Sequence, residues 1–240
     1  MILIKGKHSV VEALQHGIKV FHIYVSQTAN RKELQEIKAL AAQNRVPVSQ
    51  IPKEDFIKKH KCDGHQSVIA SIQNIPLTDI SDVIDTKPPV IVVLDHIEDP
   101  FNLGAIMRSC EGLGVSTVIF PKDRNASLNA GVIKASSGAA YLLNLVQVAN
   151  IAQTVKKLDS VGYWIYALDS KKGTDLEKLD PAFPAVIVIG NEHKGVSPLL
   201  SKLSHDHINL NMKGQIDSLN VSVATGITLY HFMKKCDITI

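Results

Sequence analysis

Two five-residue runs, Val90–Leu94 and Ala185–Ile189, contain no polar side chain. A strand with one wet face alternates apolar and polar residues, so runs without alternation predict strands covered on both sides. Each is far shorter than the roughly 20 residues needed to cross a bilayer. Around them the periodicity switches repeatedly. Helical spacing marks Leu103–Leu113, Asn129–Ala135, Ile151–Leu158 and Val221–Lys235, and β-rich stretches mark Thr117–Phe120, Tyr163–Leu168 and His207–Asn211. Strands alternating with helices predict an α/β domain over residues 90–240 with a mainly parallel sheet. Ligands of such sheets bind beyond the carboxyl ends of strands, which directs attention to the segments after Leu94, Leu168, Ile189 and Leu210.

The first third reads as a separate module, residues 1–75. Val10, Val11, Ala13 and Leu14 keep helical spacing before Gly17, and Val20–Val25 predicts a strand. Asn30 and Glu33 form a capping-box pattern ahead of Leu34, Ile37, Leu40 and Ala41. Val46–Ile51, Pro52–Lys59 and Ser67–Ile72 continue as strand, helix and strand. The stretch 76–89, with three prolines and scattered acids, predicts a linker. Residues 1–75 carry 11 Lys and Arg against 6 Asp and Glu, whereas the remainder carries 15 against 17. The basic excess of the chain therefore sits in the small module, as suits one that holds a polyanion.

Several classes of function are disfavoured. The N-terminus places its apolar residues before its charge, the wrong order for a signal peptide, which predicts a cytoplasmic protein. Cys62, Cys110 and Cys236 are far apart and form no Cys-x-x-Cys, so they predict reduced, buried thiols. Gly112-Leu113-Gly114-Val115 ends a helix and precedes a strand, the reverse of a dinucleotide-binding loop. His205 and His207 have the spacing of two ligands on one strand face but no further partner nearby, so no metal is assigned and a solvated loop pair is expected.

Three strand ends carry chemistry. Asp95 to Arg108 contains Asn102, placed to cap a helix, with Arg108 six residues later. Gly190-Asn191-Glu192-His193-Lys194-Gly195-Val196-Ser197-Pro198 is a polar loop bracketed by glycines; Gly190 would allow close backbone approach to a ligand, and Pro198 marks a helix start. Asn211 to Asn220 leads into the last helix, with Ser218 and Asn220 at its N-terminus and small residues Ser222 and Gly226 following. Val221, Val223, Ile227 and Leu229 give that helix more than one apolar face.

Taken jointly and in this order, Asn102-Leu103-Gly104-Ala105-Ile106-Met107-Arg108, Ile189 to Gly195, and Met212 to Ile227 resemble the three motifs of the SpoU/TrmH-type RNA 2′-O-methyltransferases of the SPOUT superfamily. Gly6 to Leu14 and Gly64-His65-Gln66 resemble the small RNA-binding domain of that family, with Ser67 where a glycine is common. The two-domain layout is similar to the RlmB-like group, which acts on a guanosine of 23S ribosomal RNA; transfer RNA, adenosine-specific methylation and a non-catalytic assembly factor are the alternatives.

The resemblance implies a deep trefoil knot in the C-terminal SPOUT domain, bent S-adenosylmethionine as cofactor, and a homodimer. It implies cofactor contacts from Leu168, Gly190, Leu210, Met212 and Leu219, and a reaction centre of Asn102, Arg108, Glu192, Ser218 and Asn220. A guanidinium ordinarily keeps its proton, so orienting and neutralising a phosphate is the cheaper role for Arg108 than acting as a base. In such dimers Arg108 of one subunit serves the pocket of the other.

Overall fold

The computed structural model describes residues 1–60, 67–169, 172–192, 194–215 and 218–236. The chain forms two compact units, Met1–Ile75 and Pro76–Ile240. In the first, β1 (Ile2–Lys5), α1 (Lys7–Gln15), β2 (Val20–Ser26), α2 (Arg31–Gln43), β3 (Val48–Ile51), α3 (Lys53–His60) and β4 (Val68–Ile72) build a four-stranded sheet in the order β1-β4-β2-β3. Only β2 and β3 are parallel; β4 runs antiparallel to both β1 and β2. The chain turns from β1 into α1 at Gly6, whose φ of 95° is a conformation that only glycine adopts without strain. Asn30 caps α2 by accepting the Lys32 N–H at 2.9 Å. The side chain of Glu33, the other half of the capping box, lies outside the described residues, as do Cys62 and Gly64-His65-Gln66.

The second unit begins with α4 (Ile80–Thr86), capped by Asp79. Residues 76–89, which the prolines predict to be a linker, thus hold a helix whose Val83 is buried against the following sheet. Then come β5 (Val90–Leu94), α5 (Pro100–Gly112), β6 (Thr117–Pro121), α6 (Ala130–Ala135), β7 (Asn144–Val148), α7 (Ile151–Ser160), β8 (Trp164–Leu168), the two-residue β9 (Thr174–Asp175), β10 (Ala185–Ile189), α8 (Pro198–Leu203), β11 (Asp206–Asn209) and α9 (Val221–Lys235). All pairs in this seven-stranded sheet, ordered β7-β6-β5-β10-β8-β11-β9, are parallel.

Both fully apolar runs are central strands paired with each other, every residue of each buried. Ile91, Val93, Val186 and Val188 pack on one face with Val83, Val155, Leu158 and Leu200 from α4, α7 and α8. On the other face Tyr166 of β8 meets Phe232 of α9 edge to face, with ring centroids 5.1 Å apart. There α5 lies against α6 so closely that a methyl group on Gly104 would come within 2.5 Å of the Ala135 Cβ and 2.8 Å of the Val132 oxygen.

From β5 the chain winds outward through β6 and β7 and then returns to the other side of β10, so β5 and β10 flank the point where the winding reverses. Parallel sheets open a crevice at that point.

Some details differ from the sequence-based expectation. Cys110 is buried, but Cys236 is only half-buried. The expected strand His207–Asn211 runs instead over Asp206–Asn209. The rings of His205 and His207 are not simply solvated: His205 accepts the Ile165 N–H at Nδ1 and pairs with Asp159 at Nε2, and His207 bonds Ser201. Among the described residues no helix is long and apolar enough to cross a membrane.

Candidate functional site

Helix α5 starts three residues earlier than an Asn102 cap would require. Asp99 is the cap, accepting the N–H groups of Phe101 at 3.1 Å and Asn102 at 3.3 Å, with Pro100 in the first turn. That leaves the Asn102 side chain free, and its Nδ2 donates to Glu192 Oε2 at 3.2 Å. The Asn220 Nδ2 donates to Asn102 Oδ1 at 3.0 Å and to Glu192 Oε1 at 3.2 Å. Asn220 is at once the cap of α9, its Oδ1 accepting the Ser222 N–H at 2.9 Å and the Ser222 hydroxyl at 2.6 Å. Ser222, in sequence merely a small residue, thereby fixes which way the Asn220 amide faces. Ser218 does not cap the helix; it lies two residues before the cap Asn220, exposed.

The segments after Leu168, Ile189 and Leu210 surround a cavity of 410 Å³, within the roughly 300–1,000 Å³ range of small-molecule sites. Leu168, Gly190, Leu210, Met212 and Leu219 all line it, together with Glu192 and Ser218. Asp169 and Lys194 add charge to a wall otherwise rich in leucine and backbone. Gly190 has a role that its sequence position alone does not reveal. A methyl group there would come within 2.1 Å of the backbone of Gly195 and Val196, so the glycine lets the loop fold back on itself. Asn191 and Gly195 close that fold with reciprocal backbone bonds, and Gly195 itself takes φ 68°.

Arg108 is not part of this cluster. It lies on α5, exposed, with no hydrogen bond or ion pair among the described residues. Six residues of helix turn a side chain by about 240° from its starting face, so Arg108 and Asn102 project in different directions.

On one side of α9, Val223, Ile227 and Tyr230 are exposed at helical spacing, Tyr230 by 61%. The opposite side buries Ala224, Thr225, Thr228, Leu229 and Phe232. The helix is thus apolar on two faces, one of them uncovered in the single chain.

The SpoU rRNA Methylase family profile matches residues 89–230, and the profile described as RNA 2′-O ribose methyltransferase substrate binding matches residues 3–77. The chain is 36% identical over 240 residues to the 23S rRNA (guanosine-2′-O-)-methyltransferase RlmB of Pseudomonas putida, covering 97% of this chain and 96% of that one. It is 35% identical to a Staphylococcus saprophyticus protein assigned to the TrmH family of tRNA/rRNA methyltransferases, covering 98% of this chain and 96% of that one. Its fold matches that of an AdoMet-bound rRNA methyltransferase from Sinorhizobium meliloti with a TM-score of 0.76 at 20% identity, covering 99% of this chain and 88% of that one. The SpoU methyltransferase AviRb of Streptomyces viridochromogenes, in complex with AdoMet, matches with a TM-score of 0.74 at 20% identity, over 97% of this chain and 89% of that one. With both of its units matched by profile and near full-length relatives above 30% identity, the chain belongs to the SpoU rRNA Methylase family and is an RNA 2′-O-ribose methyltransferase.

Proposed function

We propose that this chain methylates the 2′-oxygen of a guanosine in 23S ribosomal RNA, in the cytoplasm, and that it does so as a homodimer. The observation that carries the reading is the joining of Asn102, Glu192 and Asn220, from three separate strand ends, at a cavity of small-molecule size. Identity of 36% to an RlmB across both units favours guanosine in 23S rRNA over transfer RNA.

The cavity suits the cofactor chemically. Leu168, Leu210, Met212 and Leu219 offer apolar walls to a flat base, and the Asp169 and Glu192 carboxylates suit a molecule carrying a sulfonium. Bound there, S-adenosylmethionine would supply an electrophilic methyl group. The protein's share is to place a weak nucleophile and to relieve it of its proton. Asn102 and Asn220, each held by Glu192, form a rigid polar rim for the ribose, and Ser218 lies on the same cavity wall to orient the hydroxyl. Glu192 receives only donors in this network, so it acts as an anchor.

Arg108 is exposed and unpaired among the described residues, so its charge is available to an RNA phosphate. It projects from a different side of α5 than Asn102 does, which favours delivery to a partner's pocket. The uncovered stripe of Val223, Ile227 and Tyr230 on the neighbouring α9 offers a self-complementary surface for that partner. A deep trefoil knot in the C-terminal domain, as the family resemblance implies, would bring the three cavity loops together.

The test is transfer of a labelled methyl group by the purified protein to 23S rRNA and to transfer RNA, followed by digestion to nucleosides. Label in 2′-O-methylguanosine from 23S rRNA is expected. Label confined to transfer RNA, or to another nucleoside, would overturn the substrate assignment.

A further inference from the structure

Asp95 is the first residue after β5 and is only 2% exposed, yet its carboxylate does not line the cavity. Its three bonds all lead to the loop that does. The Asp95 N–H donates to the Ile189 oxygen at 2.8 Å, extending the β5–β10 pairing to the last residue before Gly190. Its Oδ2 accepts the Ser197 N–H at 2.7 Å, at the far end of the same loop. Its Oδ1 accepts from His96 Nδ1 at 2.5 Å. His96 has φ 64°, a left-handed conformation costly for a side chain of its size, and in it the His96 oxygen accepts Asn191 Nδ2 at 2.9 Å. The dipeptide Asp95-His96 thus grips the loop at its start, after its first glycine and at its end, while Gly190 and Gly195 pack together between these points.

We infer that Asp95 is a positioning residue: by stapling both ends of the Gly190–Val196 loop it holds Glu192 and the cofactor wall in binding geometry. The inference rests on the cavity being the cofactor site. A buried carboxylate that accepts a backbone N–H fixes geometry more firmly than a neutral acceptor, because the bond is charge-assisted and screened from water. The effect should therefore appear in binding of the cofactor before it appears in the chemical step.

The experiment is calorimetric titration of the full chain with S-adenosylmethionine, paired with turnover at saturating cofactor. Asp95→Leu keeps the branched shape of the side chain, with bulkier ends, but accepts no bond, and it should raise Kd at least about tenfold, the loss expected for one hydrogen bond to a charged group. Its kcat at saturating cofactor should fall by a smaller factor than Kd rises, because bound cofactor helps to re-seat the loop that carries Glu192. Asp95→Asn should restore Kd to within about threefold, because its oxygen still accepts from Ser197 while His96 can take the tautomer that accepts from the new amide.

If Asp95→Leu does not fold, Ser197→Pro deletes the same bond from the other side at a residue whose φ of −59° and ψ of 149° suit proline, and the same rise in Kd is expected. A folded variant of either kind that binds S-adenosylmethionine as the unmodified chain does would overturn the staple alone. Failure of the unmodified chain to bind would overturn the cavity assignment, and the staple's effect with it.

Discussion

Asn220 donates its side-chain amide to Asn102 Oδ1 at 3.0 Å although 118 residues separate the two. The direction of that bond is dictated from α9. A backbone N–H can only donate, so the Ser222 N–H turns the Asn220 oxygen toward itself and leaves the nitrogen for Asn102 and Glu192. Asn102 must then offer its own nitrogen to Glu192. Both side-chain amides donate to one carboxylate, Glu192, whose charge organises them.

Replacing a donor by an acceptor within this chain of bonds should break it. Asn220→Asp keeps the helix cap but sets a second carboxylate against Glu192 and an acceptor against Asn102. Single-turnover methylation should fall by about 10²-fold, the scale of losing an oriented polar group at a reaction centre. Thermal unfolding should barely move, because the Asp still caps α9. A single-turnover rate near that of the unmodified chain would show that the triad does not shape the reaction.

Gly104→Ala should destabilise the catalytic unit without touching the cavity. The added methyl would meet Ala135 and the α6 backbone at contact distances no side chain occupies. Overpacking of this kind typically costs about 1–3 kcal/mol, and urea unfolding should read that loss as a lower midpoint with an unchanged slope. An unchanged midpoint would mean that α5 and α6 separate at little cost.

How much of this was legible in the chain itself varies with the range of the interaction. Val90–Leu94 and Ala185–Ile189 declare themselves because total burial leaves no alternation, and the helices over residues 151–158 and 221–235 because their burial is periodic. Edge strand β7 buries only its middle residues and carries Asn144 and Gln147, so its pattern is weak. Helix α4 is seven residues long among prolines and reads as a spacer until its Val83 and Asp79 cap are seen in place. That Asn102 does not cap α5 was not legible, since Asp99 and Asn102 are both good caps and only the start of α5 decides between them. The triad needs pairings across 90 and 118 positions, and no local spacing encodes these.

Alkaline pH should weaken the fold through groups that burial keeps neutral. Desolvation pushes the Cys110 thiol up to about 12, and does the same for the Tyr141 and Tyr163 phenols. In the unfolded chain these groups ionise at lower pH, so above pH 9 for the thiol and 10 for the phenols the unfolded state binds fewer protons than the folded one. Stability is therefore complete below pH 9 and declines as pH rises toward 12. Urea midpoints measured across that range should fall. A flat profile would contradict burial of these groups.

Subunit mixing tests whether the pocket is shared. Arg108→Ala and Asn220→Ala should each be inactive as homodimers, yet their mixture should regain activity, because one pocket of each heterodimer then has its own intact Asn220 and an Arg108 from across the interface. A mixture that stays inactive after demonstrated subunit exchange would place Arg108 in its own chain's pocket.

The central claim is tested most directly by mapping ribose 2′-O-methylation across ribosomal and transfer RNA from cells with and without the gene. One guanosine of 23S rRNA should lose its 2′-O-methyl group in the deletion and regain it when the unmodified chain, but not Asn220→Asp, is supplied. Identical maps in the two strains, or a lost methyl group confined to transfer RNA, would contradict the account.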